Sequence, residues 1–379
     1  MTKIDRYVLT LFLRTVVICF CSLAGIFVVF HAFTSMEDLL RQAEKDGGLL
    51  IVMFRYYGPY LLLLFDWTGA IIALMAFLFT IGWLRGTREL TAMLSTGVSH
   101  GRIFKPILVA SFVLVVLQLV NRELMLPKYR DVLLLKAKDL AGQHEQPIRA
   151  QYDTVNRVLI DGRSLRTQSQ VIVEPSFRLD GDYPEFGDTI LGKTATWLDS
   201  DSRHGSGYLI DDVERPDQID NLASVRFKGR NILLTQRDQL WIQSGQCFFA
   251  TTLHPDFLQT KQSAIRMASI EELVSRVKNP SIHSSLGLRV LLHERLVRLP
   301  LDYILILLGL PMILNRNGRN LFVMIAAVSM TVLGFFAIKT VSGAMGSGGY
   351  LLSPMMAAWM PLIILGPIAY VRLRETAIQ

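Results

Sequence analysis

TVVICFCSLAGIFVVFHAFTSM, residues 15–36, contains no Asp, Glu, Lys or Arg. A helix needs about 20 mostly apolar residues to cross a bilayer, and this run supplies them. Reading outward, five more runs qualify. They are Tyr56–Leu84, broken by Asp66, then Ile107–Val120, extended by Ile103 and Phe104, then Leu299–Leu314, with Asp302 near its start. Leu321–Met345 carries Lys339, and Leu351–Val371 is the last. The first run follows Lys3, Arg6 and Arg14, as a signal peptide would, but its apolar core is too long and no small-x-small cleavage site follows. It therefore reads as an uncleaved span. Composition agrees: of 379 residues, 51% are hydrophobic and only 19% charged, against about a quarter charged in a soluble domain. A disordered chain, a collagen-like fibre and a simple cytosolic enzyme are excluded.

Basic residues set the orientation. Lys3, Arg6 and Arg14 precede the first run; Arg85, Arg88, Arg102 and Lys105 lie between the second and third. Arg316 and Arg319 join the fourth and fifth, and Arg372 and Arg374 follow the sixth. With six spans these all fall on one side, which places both termini in the cytoplasm. The opposite loops are poorer: 37–55 mixes both signs and 346–350 has no charge. The net charge of +7 thus belongs to membrane topology, and no nucleic-acid partner is implied. Cys19, Cys21 and Cys247 suggest neither a disulfide framework nor a metal site.

The segment from about Asn121 to Arg289 then lies outside the cytoplasm. It is polar, rich in turns such as GDYPEFGD (181–188), and holds short strand-like runs at 155–160, 170–173, 224–229 and 231–235. Residues 239–252 read as two strands around Ser244-Gly245, and Ser269 with Glu272 form a capping box that opens a helix. The fold class is α+β: six transmembrane helices with a periplasmic β domain, jelly-roll-like or sandwich, inserted between helices 3 and 4. The expected divisions are 1–125, with a cytoplasmic helix at 86–98, then 126–287 for the β domain and 288–379 for the last three spans.

GDTILGKT (187–194) and GVSHG (97–101) match GxxxxGK[ST] and GxSxG by spacing alone, without the strand-then-helix setting each motif needs, and no HExxH is present, so no catalytic residue, cofactor or metal is expected and any energy must come from a partner. The loop RGTRELTAMLSTGVSHGRIFKP (85–106) carries the strongest local signal. Thr87 can cap a helix, Glu89 sits in its first turn, Gly97 can end it, and Leu90, Met93 and Leu94 form an apolar stripe. Such a helix either lies on the membrane surface or inserts into a groove on a cytoplasmic ATPase. Intramembrane charge is costly and usually functional, which singles out Asp66, Lys339 and, at the mouth of the second span, Arg55. Lys339 either pairs with Asp66, snorkels outward, or meets a ligand. Glu294 and Arg295 read as an ion pair at the entrance to the fourth span.

RELTAMLSTGVS (88–99), NRELMLP (121–127), HERLVRLPLDYILILLGLPMIL (293–314), the following Arg316-Asn317-Gly318-Arg319 and SPMMAAWMP (353–361) resemble the lipopolysaccharide-export permeases of the LptF/LptG family. The resemblance runs through nearly all of the membrane part; the β domain matches in placement more than in sequence. It implies an inner-membrane permease subunit of an ABC-type transporter. Its partners would be a cytoplasmic ATPase dimer, a paralogous permease completing a heterodimer, a periplasmic bridge protein of the LptC/LptA type, and lipopolysaccharide. It implies a jelly roll with a groove for acyl chains, and a coupling helix in which Glu89 meets the ATPase, with Arg88, Leu90, Met93 and Leu94 around it. It places Lys339 on the wall of a lipid cavity, against a lipid A phosphate. His31 and Arg41 join Arg55 and Asp66 as lipid-binding candidates, because spans one and five form lateral gates. The alternatives are a permease for another envelope lipid or lipoprotein, and a membrane-bound enzyme or assembly factor.

Overall fold

A reciprocal cap opens the first helix, α1 (Lys3–Thr34): the Thr2 hydroxyl accepts from the Asp5 N–H at 3.3 Å, and the Asp5 carboxylate accepts from the Thr2 N–H at 2.8 Å. The computed structural model describes residues 2–44, 48–134, 145–166, 169–181, 183–201, 205–227, 230–258, 262–281, 286–314, 321–349 and 352–378. The Arg316–Arg319 loop and Asp182 lie outside them. The described chain divides into two units, one of residues 1–133, 267–270 and 285–379, the other of 134–266 and 271–284.

In the first unit α1 leads to a short α2 (Met36–Ala43) and then α3 (Leu49–Gly86), with α4 (Glu89–Ser95) and α5 (His100–Val120) after it. A π-helical turn, Asn121–Met125, extends α5 and runs into α6 (Leu126–Lys128) and α7 (Arg130–Leu134). After the β region come α8 (Gln262–Met267), α9 (Ile270–Lys278) and three long helices, α10 (Leu286–Leu314), α11 (Leu321–Gly348) and α12 (Pro354–Ile378). Among the described residues five helices are long and apolar enough to cross a membrane: Lys3–Thr34, Leu49–Gly86, His100–Lys128, Ile325–Gly348 and Pro354–Arg374. The expected fourth span falls on α10. That helix is long enough, but Glu294, Arg295, Arg298 and Asp302 crowd its middle and leave only 303–314 free of charge.

Packing explains which faces turn inward. Val8, Phe12, Leu74, Phe77, Ile81, Ile103, Ile107, Leu301 and Phe335 share one buried core. Outward, α1 presents Val17, Ile18, Ile26, Phe30 and Phe33, each more than half exposed, an apolar surface suited to lipid and not to water. With lipid outside, apolar burial does not drive association, so van der Waals fit and polar contacts hold the helices together.

The second unit is built on one antiparallel sheet. Its strands are β1 (Glu145–Pro147), β2 (Gln151–Asp153), β3 (Val158–Arg166), β4 (Val171–Leu179), β5 (Thr189–Leu191), β6 (Thr194–Leu198), β7 (Gly207–Asp211), β8 (Val225–Phe227), β9 (Arg230–Thr235) and β10 (Cys247–Ala250). The order is β1-β3-β4-β6-β7-β10-β9-β8, with β2 on β3 and β5 on β4. Alternation buries Val158, Ile160, Ile172, Phe177, Ile190, Tyr208, Ile210 and Phe249 on one face, as the pleat requires. The hairpin expected over 239–252 does not form, and only Cys247–Ala250 is a strand. The place beside β10 that such a hairpin needs is taken by β9, Phe249 opposite Leu233. Asp220 instead pins the Ser244-Gly245 turn, accepting from the Ser244 hydroxyl at 2.5 Å and the Gly245 N–H at 2.8 Å.

Candidate functional site

Thr87 does not open the helix between α3 and α5; it closes α3. Its hydroxyl donates to the Trp83 carbonyl at 3.0 Å. Arg88 follows in the left-handed region at φ 59°, so α3 and α4 are separate helices and α4 covers Glu89–Ser95, shorter than the expected 86–98. Gly97, at φ 82°, ends the segment as its sequence position suggests. Leu90 is buried, and Met93 and Leu94 pack half-buried on the core that holds Val8, Phe12 and Leu84. The apolar stripe therefore faces the protein's own helices. Arg88, Thr91, Ala92, Ser95 and Thr96 are exposed. Glu89 is half-buried and accepts a hydrogen bond from the Tyr7 hydroxyl at 2.7 Å. Nothing in the spacing of Tyr7 announces that contact, because it joins residues 82 positions apart.

A second polar constellation lies between α3, α5 and α10. Successive side chains on a regular α-helix fan apart by about 100°, but a π-helical turn changes that spacing. Asn121 donates to the Leu62 carbonyl at 2.9 Å, Arg122 to Asp66 Oδ2 at 2.5 Å, and Glu123 accepts from Arg295 at 3.3 Å and from the Ile270 N–H at 2.7 Å. From α10, Arg298 Nη1 lies 2.9 Å from Asp66 Oδ1, its Nη2 donates to the Asp66 carbonyl at 2.6 Å, and its Nε lies 3.3 Å from Asp302 Oδ2. Gln118 also donates to the Asp66 carbonyl, and it packs so closely on Gly69 that an added Cβ would lie 3.0 Å from its amide. Asp66 is 1% exposed, Arg122 7% and Arg295 4%. Taking each such ion out of water costs several kcal/mol, offset only when opposite charges and hydrogen bonds are all in place. Here three carboxylates (Asp66, Glu123, Asp302) balance three guanidiniums (Arg122, Arg295, Arg298).

One expected pairing gives way to this cluster. Asp66 is matched by two guanidiniums and not by Lys339, and Arg295 reaches across to Glu123. Sequence reasoning passed over Arg122 and Arg298. The i,i+4 spacing of Arg298 and Asp302, inside an otherwise apolar run, is the signal that could have found Arg298.

The other candidates occupy separate settings. Lys339 is half-buried and lines a small cleft with Glu294, Val297, Leu301, Ala357, Ala358 and Pro361. His31 Nδ1 lies 3.0 Å from the Tyr57 hydroxyl, and its ring packs among Phe27, Tyr56 and Tyr60. Arg41 forms an exposed i,i+4 pair with Glu37 at 3.1 Å, a contact worth little in water. Arg55 is exposed on α3. In the sheet unit, burial pushes the Cys247 thiol up to about 12, which keeps it a poor nucleophile. Among the described residues no group of His, Cys, Asp and Glu could hold a metal ion.

The family model for the lipopolysaccharide export system permease LptF/LptG matches residues 6–148 and 238–375. The match takes in the long helices of the first unit and leaves β2–β9 outside. No curated protein matches the chain.

Proposed function

The chain belongs to the lipopolysaccharide export permease LptF/LptG family, and from that premise we propose that it is one permease of an ATP-driven exporter. A related permease completes the membrane part, an ABC-type ATPase dimer sits on the cytoplasmic side, and a periplasmic bridge protein receives the lipid. In this reading α10 is the fourth of six spans, both termini are cytoplasmic, and the chain resides in the inner membrane. The sheet domain is periplasmic and works as a jelly roll with an apolar groove for acyl chains.

The observation that carries the proposal is the geometry of α4. It sits between two long apolar helices, and its first residue, Glu89, is anchored by Tyr7. Glu89 and Arg88 then meet the ATPase, and Leu90, Met93 and Leu94, embedded in the helical core, carry the displacement into the membrane instead of filling a groove on the partner. ATP binding draws the ATPases together, α4 moves, and the cavity tightens around the lipid, favouring the state with weaker lipid contacts. Lys339 meets a phosphate, and His31, Arg41, Arg55 and Asp66 are further candidates for contact with other parts of the lipid. The Asp66 cluster and the aromatic packing of His31 favour positioning roles for those two. The experiment is to purify the complex, identify retained proteins and lipids by mass spectrometry, and follow ATP-dependent release of lipopolysaccharide from proteoliposomes. A chain that modifies lipid alone, with no ATPase retained, would contradict the proposal.

A further inference from the structure

The six long helices form two groups of three, α1 with α3 and α5, and α10 with α11 and α12, which meet chiefly through α10 against α3 and α5. The buried Asp66, Arg122, Arg295 and Asp302 and the half-buried Glu123 and Arg298 all belong to those three helices and the π-helical turn that extends α5. Farther along the same pair of helices the contact is apolar and tight. An added Cβ at Gly309 would lie 2.3 Å from Leu74 Cδ1, and Ala73, Val115 and Ile306 form a small core there.

A seam that only had to stay shut would be served as well by apolar side chains, since replacing a buried ion cluster by well-packed hydrophobic residues is often neutral or stabilising. The chain uses apolar contacts at Leu74 and Ile306 and gives them up at Asp66. What a charged contact adds is exchange: a guanidinium can pass between carboxylates without ever being left unpaired. Arg298 already touches both Asp66 and Asp302, and Asp66 keeps Arg122 if Arg298 leaves. The π-helical turn beside it is the kind of local irregularity that recurs at functional sites.

We propose that this cluster is the moving joint of the permease. During ATP-driven export, the reading on which this inference rests, the α10 group shifts against α3 and α5 about the Leu74–Gly309 contact, and Arg298 passes from Asp66 towards Asp302. Arg122 and Asp66 hold the first group together throughout. Bistable repacking of a charged interface is an established form of switching.

The test uses the complete complex in lipid nanodiscs and proteoliposomes. The charge-neutral variant Asp66→Leu, Arg122→Met, Arg298→Met, Asp302→Leu is expected to assemble with thermal stability equal to or above the parent, and to lose at least tenfold in ATP-driven lipopolysaccharide release. Near-parental release by the assembled variant would overturn the joint. Should it fail to fold, Arg298→Lys decides, because an ammonium keeps the charge but lacks the fork that bridges two carboxylates. Release at the parental rate by Arg298→Lys contradicts the proposal, and a tenfold loss with intact assembly supports it. Spin labels at Val113→Cys on α5 and Leu333→Cys on α11, both more than half exposed, are placed in a background lacking Cys19 and Cys21. Their distance should change on adding ATP, and an unchanged distance overturns the joint. If the parent complex ignores ATP altogether, the exporter reading fails. The joint is then judged by the same distance with purified lipopolysaccharide alone, where a shift supports it and none refutes it.

Discussion

Replacing Asp66 by Asn should be among the most damaging single changes in the helical unit, and replacing Asp302 by Asn should not. The side chains differ by one charge in both cases, so the difference lies in who is left behind. Asp66 is 1% exposed and receives Arg122 at 2.5 Å and Arg298 at 2.9 Å. Its neutralisation leaves Arg122 buried without that carboxylate, and removing one side of a buried pair costs about 3–5 kcal/mol. Asp302 offers Arg298 a longer contact of 3.3 Å, and Arg298 keeps Asp66 when it is neutralised, so the loss is about 1 kcal/mol. The gap of about 2–4 kcal/mol corresponds to roughly 30- to 700-fold in the folded-to-unfolded ratio. Unfolding in mixed micelles by titration with sodium dodecyl sulfate, followed by helicity, measures it. Equal midpoints for the two variants, or a larger shift for Asp302→Asn, would refute the assignment of Asp66 as the hub.

A cysteine at Ser95 should react with an impermeant reagent only from the cytoplasm and one at Glu185 only from the periplasm; equal sidedness would end the six-span topology. Tyr7→Phe removes the hydrogen bond that fixes Glu89 and should weaken ATPase association by about threefold to tenfold, the worth of one modest hydrogen bond; unchanged or tighter binding in a co-sedimentation assay would show that Tyr7 does not position Glu89. Lys339→Glu should reduce lipopolysaccharide capture more than Lys339→Gln, because repulsion is added to lost attraction, and equal retention on the purified complex would remove Lys339 from the lipid site.

The long helices were legible because a run such as 15–36 leaves the backbone one means of satisfying its own polar groups in lipid. The same logic weakens at α10, where Glu294, Arg295, Arg298 and Asp302 interrupt the run and only tertiary partners make their burial affordable. Glu89 and the Leu90, Met93, Leu94 stripe could be seen as a helix face, but a stripe does not say what covers it. The structure turns it onto Val8 and Phe12, residues far away in sequence. Thr87 shows the limit of capping rules: its hydroxyl serves the helix before it, a choice fixed by the left-handed Arg88 and not by composition. The strands at 158–166 and 230–235 were visible in part, as the short β-prone runs 155–160 and 231–235. The missing hairpin at 239–252 was not, since whether β10 pairs with 239–243 or with β9 depends on non-local register.

The most direct test of the exporter account is ATP-driven release of lipopolysaccharide from proteoliposomes holding the complex, parent against Glu89→Lys. With Glu89 half-buried and tied to Tyr7 at the start of α4, reversing its charge should abolish release and loosen the ATPase while the helices and the sheet stay folded. An acidic residue in place of the ATPase's basic partner should restore both. Full release and normal ATPase association by Glu89→Lys without any compensation would contradict the account.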